Sequence, residues 1–166
     1  MNPSPEQSVI HALLKTGEKI ATAESLTAGS LAATLANVPD SSHVFLGGIV
    51  SYSNEIKSEL LNVDVEVLET QGAVCGDVAE AMAVGVRQRF NSQIGISTTG
   101  VAGPAPHQGK DVGTVFIGIS SKRGTFSEEY KFDGSRDQIR RATVAAALSL
   151  LAREIRANST NPEKTM

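Results

Sequence analysis

Residues 47–57, Gly-Gly-Ile-Val-Ser-Tyr-Ser-Asn-Glu-Ile-Lys, make a buried strand hand over directly to a helix. Ile49 and Val50 read as the end of the strand, and Glu55–Leu61 as the helix. Ser51, Tyr52, Ser53, Asn54 and Lys57 are thereby delivered together at one junction. Open α/β sheets bind ligands at such junctions, outside the ends of their strands. A lysine among hydroxyls can be a base beside a nucleophile. It can equally be a solvated lysine at an ordinary helix start, and the segment by itself leaves both readings open.

The rest of the chain alternates in the same way. Ser4, Pro5 and Gln7 form a capping box with proline at the first helical position. Val9, Ile10, Leu13 and Leu14 then share one apolar face, and Gly17 ends the helix. Lys19–Ala23 reads as a short strand. Thr27 or Ser25 caps a second helix carrying Ala28, Leu31, Ala32 and Leu35, which stops before Pro39. Val44–Tyr52 is a strand interrupted by Gly47-Gly48, and Val65–Thr70 a weak helix. Asp77 caps a helix through Phe90 with Val78, Ala81, Met82, Gly85 and Val86 inward. Ile94–Thr98 and Val112–Ser120 are buried strands, and Phe126–Phe132 is an edge strand or hairpin arm. Ser135 and Gln138 form a second capping box, and the helix after them carries Ile139, Ala142, Ala146, Leu150 and Leu151. This order predicts an α/β fold, a sandwich with a mixed sheet. One domain over 1–157 and a disordered tail over 158–166 are expected.

Charge and cysteine content narrow the function classes. The chain has 166 residues and a net charge of −3, without a basic stripe, so nucleic acid is not an expected partner. The single cysteine, Cys75, excludes an internal disulfide and a Cys-rich zinc site. His11, His43 and His107 have no metal-ligand spacing to one another or to Cys75, so no metal and no cofactor are expected. Residues 1–6 do not read as a signal peptide, and no apolar run is long enough to cross a bilayer. A cytoplasmic protein without membrane contact follows, and the acceptor-like Asn158-Ser159-Thr160 carries no meaning there.

Three turns carry the candidate chemistry. In Ala23–Gly29, free N–H groups at a helix start can hold an anion or oxyanion, with Ser25 and Thr27 either in the site or merely capping. In the second turn, preceded by Ser41-Ser42, a serine near Lys57 suggests a Ser–Lys amidohydrolase. Desolvation would lower the lysine pKa so that the neutral amine accepts the serine proton. Ser53 and Lys57 also share a helix face, and spacing does not choose the serine. The third, Thr98-Thr99-Gly100-Val101-Ala102-Gly103-Pro104, allows close backbone approach, and Thr99 can donate to a substrate. It is neither a P-loop nor a dinucleotide fingerprint. Arg136, Arg140 and Arg141 crowd the last helix start, as a solvated face or as a phosphate site.

These turns, in this order, resemble the C-terminal domain of the CinA (competence/damage-inducible) family, whose stand-alone members act as nicotinamide mononucleotide deamidases. The motifs stand here as Ala23–Gly29, Ser41–Lys57, Gly72–Cys75, Thr99–Pro104, Val112–Val115 and Arg136–Arg140, and the likeness covers roughly residues 6–155. The chain is similar to the stand-alone form, without the molybdopterin-binding-like N-terminal domain found in other members. The resemblance implies a three-layer α/β/α sandwich with a mixed, mostly parallel sheet, and a metal-free serine amidohydrolase that converts nicotinamide mononucleotide to nicotinate mononucleotide and ammonia.

Ser25, Ser42, Tyr52, Lys57 and Thr99 match the positions associated with the family's site. Ser42 is the preferred nucleophile and Ser25 the second; Lys57 is the base and Tyr52 relays or orients the proton. Thr99, Ser25 and turn N–H groups stabilise the oxyanion, and Arg140 or Arg136 binds the 5′-phosphate. Thr27, Asn54 and Gly100 complete the expected substrate contacts, and a homo-oligomer, a dimer, is expected. A non-catalytic nucleotide-binding module tied to competence or DNA damage is the alternative, and an amidohydrolase for another amide a third reading. Ala28, Cys75 and Ala105-Pro106-His107 depart from the family pattern.

Overall fold

The computed structural model describes residues 1–160. Its elements are α1 (Pro5–Thr16), β1 (Ile20–Glu24), α2 (Ser30–Ala36), a 3₁₀ turn (Ser41–His43), β2 (Phe45–Val50), α3 (Asn54–Leu61) and α4 (Val65–Gln71). They continue with α5 (Gly76–Phe90), β3 (Ile94–Gly100), β4 (Thr114–Ser121), β5 (Gly124–Lys131) and α6 (Arg136–Thr160). The sheet order is β2-β1-β3-β4-β5. β1 pairs in parallel with β2 and β3, while β4 is antiparallel to both β3 and β5. Four strands therefore share one direction and β4 opposes them, which is the mixed sheet of the element order and the mostly parallel one that the resemblance implies.

Side-chain alternation along the strands builds the three layers. Ile20, Ile94, Ile96, Ile117 and Ile119 face Val9, Ile10 and Leu13 of α1, Leu31 and Leu35 of α2, and Ile139, Leu148 and Leu151 of α6. Ala21 and Ala23 face the other way, toward Leu61, Leu68, Val78, Met82 and Val86. Small residues let α5 lie tight on that face. A Cβ on Gly95 would come within 2.2 Å of the Ala83 carbonyl oxygen, and one on Gly118 within 2.3 Å of the Ala79 carbonyl oxygen.

Local signals set the outer helices. In α1, Gln7 N–H donates to Ser4 Oγ and Ser4 N–H to Gln7 Oε1, and Gly17 takes a left-handed conformation at φ 75° to end the helix. The same reciprocal pair joins Ser135 and Gln138 ahead of α6.

Several expected details shift. Leu14 is exposed. β2 runs through Gly47-Gly48 without a break. Cys75, not Asp77, occupies the N-cap of α5, and Ala81 is half-buried. α6 continues through Thr160 with Asn158 buried inside it, so no tail starts at 158; residues 161–166 of that expectation lie outside the described residues. Among the described residues, no helix is long and apolar enough to cross a membrane.

The parallel register aligns Glu24 of β1 with Val50 of β2 and with Thr98 of β3. All three candidate turns therefore leave the sheet at the same edge, where a parallel α/β sheet opens its crevice.

Candidate active site

A cleft of about 450 Å³ opens at that edge between the ends of β1, β2 and β3, the 101–107 loop and the first turn of α6. Ser25, Tyr52, Asn54, Lys57, Thr99, Gly100, His107 and Arg136 all line it, and among the described residues no carboxylate does.

Lys57 is the central oddity. Among the described residues its side chain is one of the largest to be fully buried, at 1% exposed. Helix α3 starts at a Ser53 cap, whose Oγ accepts the Ile56 N–H. The first turn then directs Lys57 back over the end of β2. Its Nζ lies 2.7 Å from the Ser51 carbonyl oxygen, 3.3 Å from that of Tyr52 and 3.0 Å from Ser25 Oγ. No carboxylate pairs with it among the described residues. Burial without a counter-charge disfavours the ammonium and pulls the pKa down to about 8.

The three partners suit the neutral amine. Two carbonyl oxygens accept its two N–H protons, and its lone pair is left for the hydroxyl of Ser25. The charged form instead donates to all three. The site can thus hold the lysine in either state with every polar atom matched.

Ser25 is held as firmly. Its N–H donates to the Thr98 carbonyl oxygen at 2.9 Å, continuing the β1–β3 ladder by one residue. The next turn is fixed from two sides. Glu24, 1% exposed, accepts N–H bonds from Leu31 at 2.8 Å and Ala32 at 3.1 Å. A carboxylate from the strand therefore caps α2, whose own N-cap is Gly29 with no side-chain bond. Arg140 Nε donates to the Leu26 carbonyl oxygen at 2.9 Å, and its Nη2 lies near Thr27 O and Ser30 Oγ. With the carbonyls turned to Arg140, the Leu26 N–H donates to no acceptor among the described residues.

The structure redistributes several expected roles. Ser42 is exposed on the 3₁₀ turn that precedes β2 and does not line the cleft. The length of β2, roughly 20 Å at about 3.3 Å per residue, lies between it and Lys57. Ser25, the second choice, is the serine bonded to Lys57. Tyr52 lines the mouth, but its hydroxyl accepts from Arg136 Nη2 at 2.8 Å, and only its carbonyl reaches Lys57. Thr99 lines the cleft with its hydroxyl proton already donated to the Ala73 carbonyl oxygen at 2.8 Å, so it can accept from a ligand but not donate. Thr27 is buried against Thr98, with 2.7 Å between their Oγ1 atoms, away from the lining, and neither it nor Ser25 caps α2. Arg140 borders a separate, smaller depression and is engaged with the turn, while Arg136 remains in the cleft with Nη1 on the Gly103 carbonyl oxygen.

Two residues escaped the sequence reading. Glu24 stood in the first motif, but nothing in spacing shows a strand carboxylate reaching a helix start seven residues on. Gln108 Oε1 accepts the Ala73 N–H at 3.1 Å and pins the loop that walls the cleft, a contact across 35 positions that no local pattern marks. Among the described residues, no group of three His, Cys, Asp or Glu side chains is placed to hold a metal.

Known proteins carry the same arrangement of elements. The family described as the CinA C-terminal domain matches residues 2–155. A CinA-like protein of Frankia casuarinae is 43% identical over 162 residues, covering 98% of this chain and 37% of the relative. A CinA-like protein of Desulfotalea psychrophila is 42% identical over 148 residues, covering 89% of this chain and 36% of the relative. The chain thus spans little more than a third of the length of these curated relatives. Among solved structures, a competence/damage inducible protein of Agrobacterium tumefaciens superposes with a TM-score of 0.84 at 32% identity, over 94% of this chain and 98% of that one. The competence damage-inducible protein A of Klebsiella pneumoniae gives 0.89 at 29% identity, over 92% and 95%. With sequence and fold in agreement over nearly its whole length, the chain belongs to the CinA family, through that family's C-terminal domain.

Proposed function

We propose that the domain is a serine–lysine amidohydrolase acting on the carboxamide of nicotinamide mononucleotide. The observation that carries this reading is the 3.0 Å contact between Ser25 Oγ and a buried Lys57 that has no carboxylate partner among the described residues. A lysine kept for packing or for an ion pair does not need that combination.

In the proposed reaction, neutral Lys57 takes the Ser25 proton as Oγ attacks the amide carbon. The tetrahedral oxyanion forms beside the free Leu26 N–H, and one such donor contributes roughly 3–4 kcal/mol. Lys57 then gives its proton to the departing nitrogen, the C–N bond breaks, and ammonia leaves an ester on Ser25. Water attacks the ester and yields its proton to Lys57. Collapse to the carboxylic acid breaks the ester bond as Lys57 returns the proton to Ser25, and the acid then gives its own proton to water or ammonia to become the carboxylate.

The cleft's charge supports a phosphorylated substrate. Arg136 lines it, His107 adds a ring nitrogen for hydrogen bonding, and among the described residues no acid lines it, which suits a phosphate monoester. A phosphate would draw Arg136 from the Tyr52 hydroxyl at the mouth. Incubating the purified protein with nicotinamide mononucleotide and measuring ammonia tests the reading. Binding without ammonia favours a non-catalytic module, and ammonia from a different amide redirects the substrate.

A further inference from the structure

Ala73 walls the cleft between α4 and α5 and belongs to no helix or strand. Neither its N–H nor its C=O has a backbone partner among the described residues. Side chains from two other places take both. Gln108 Oε1 accepts the N–H at 3.1 Å, and Thr99, 1% exposed near the end of β3, donates its hydroxyl proton to the C=O at 2.8 Å. Gly72 leaves the room that Gln108 needs: it stands at φ 78°, and a Cβ there would come within 2.5 Å of Gln108 Oε1. Gln108 itself occupies a two-residue turn, at φ 49° beside Gly109 at φ 76°. His107 N–H donates to the Lys110 carbonyl oxygen at 3.0 Å and Lys110 N–H to that of His107 at 2.9 Å, which holds the turn closed.

We propose that Gln108 is a positioning residue: by clamping Ala73 it keeps Thr99 a pure hydrogen-bond acceptor, and so makes the cleft prefer a carboxamide to the carboxylate that its hydrolysis leaves. This role deepens the amidohydrolase reading and rests on it. A threonine hydroxyl carries one proton and rotates unless an acceptor takes that proton. Here the Ala73 carbonyl takes it, and only lone pairs remain for a ligand. The carbonyl stays in place because the N–H of the same residue is tied to Gln108. The orientation of the Gln108 amide follows from its partner, since only the oxygen of an amide accepts an N–H.

Substrate and product differ at one position, where the carboxamide carries NH2 and the carboxylate a second oxygen. The Leu26 N–H serves the carbonyl oxygen in the proposed reaction, which leaves that second position for Thr99. An NH2 group donates to Thr99 Oγ1. A carboxylate oxygen there meets a lone pair with no proton between them, and a desolvated anion without a donor is costly. A site that hydrogen-bonds one group rejects the analogue that lacks the matching proton. A Thr99 free to turn would instead donate to the carboxylate and hold the product. The clamp therefore speeds release of the acid. Gln108 acts through Ala73 and Thr99 and needs no contact with the reacting atoms.

Product inhibition in the ammonia assay, on the full chain, tests the proposal. The readout is the Ki of nicotinate mononucleotide divided by the KM of nicotinamide mononucleotide. Gln108→Leu is expected to lower that ratio at least about fivefold. Gln108→Glu keeps the acceptor oxygen and is expected at or above the wild-type ratio. In a Thr99→Val background, Gln108→Leu should change the ratio by less than about twofold, because the hydroxyl through which it acts is gone. Hydrogen exchange at the Ala73 N–H should be fast in Gln108→Leu and slow in Gln108→Glu and wild type. An unchanged ratio in Gln108→Leu, an equal fall in the Thr99→Val background, or slow Ala73 exchange in Gln108→Leu overturns the proposal. Wild type that releases no ammonia overturns the amidohydrolase reading and this role with it, whereas ammonia with an unchanged ratio overturns this role alone.

Discussion

Lys57 Nζ lies 3.0 Å from Ser25 Oγ although 32 positions separate the two residues, and among the described residues no acid shares the contact. The lysine is a buried cation in its charged form and a matched base in its neutral form. The first two predictions follow from that pair.

Ser25→Ala is expected to lower deamidase kcat by at least about 10³-fold, because the nucleophile is removed outright. Ser42→Ala should stay within about twofold of wild type, since its hydroxyl is solvated and remote. Single-turnover ammonia release from the two variants checks the assignment. Equal loss in both would return the nucleophile role to Ser42.

Activity should follow the neutral fraction of Lys57. With its pKa brought down to about 8 by burial, kcat/KM is expected to rise about tenfold per pH unit below that value and level off above it. Lys57→Arg should be inactive throughout, because a guanidinium does not release its proton. A flat profile between pH 6 and 9 would count against Lys57 as base.

The same pKa makes a stability prediction with a definite sign. Lys57 titrates near 8 when folded, below its usual 10.5, so between those values the unfolded chain binds the extra proton. Stability therefore rises with pH across that window. Relative to Lys57→Met, wild type should gain roughly 2–3 kcal/mol between pH 7 and 10. Parallel urea titrations of the two proteins measure it, with all other lysines cancelling in the difference.

Arg136→Ala is expected to raise KM for nicotinamide mononucleotide about 10- to 100-fold, the size of a lost charged hydrogen bond, with a smaller change in kcat. Nicotinamide riboside, which lacks the phosphate, should show no such change. Comparable loss on both substrates would move the phosphate elsewhere.

Glu24→Ala should destabilise the fold by roughly 2–4 kcal/mol, because Leu31 N–H and Ala32 N–H lose a buried charged acceptor. Thermal melts read this directly. An unchanged melt would mean that α2 does not depend on the strand carboxylate.

The resemblance read off the motifs carried the family, and periodicity carried the fold, because both live in short windows. Ser4 and Gln7, or Ser135 and Gln138, are neighbours whatever the rest of the chain does. The exposed Leu14 and the replaced cap of α2 were not legible. Leu14's solvent exposure depends on what the helix lies against, and the cap of α2 comes from a different element.

The sequence by itself determined that Lys57 sits at a strand-to-helix junction among hydroxyls, and that Ser25 and Thr99 sit at two others. Only the tertiary structure decided which of them meet. Parallel pairing sets Glu24 against Val50, so Ser25 and Ser51 leave the sheet side by side and Lys57 folds back onto both. The same pairing leaves Ser42 at the far end of β2, although it is closer to Lys57 in sequence than Ser25 is. Strand neighbourhood and register are long-range choices, made by burying Ile20, Ile94 and Ile96 on one face and Ala21 and Ala23 on the other. No local spacing encodes them.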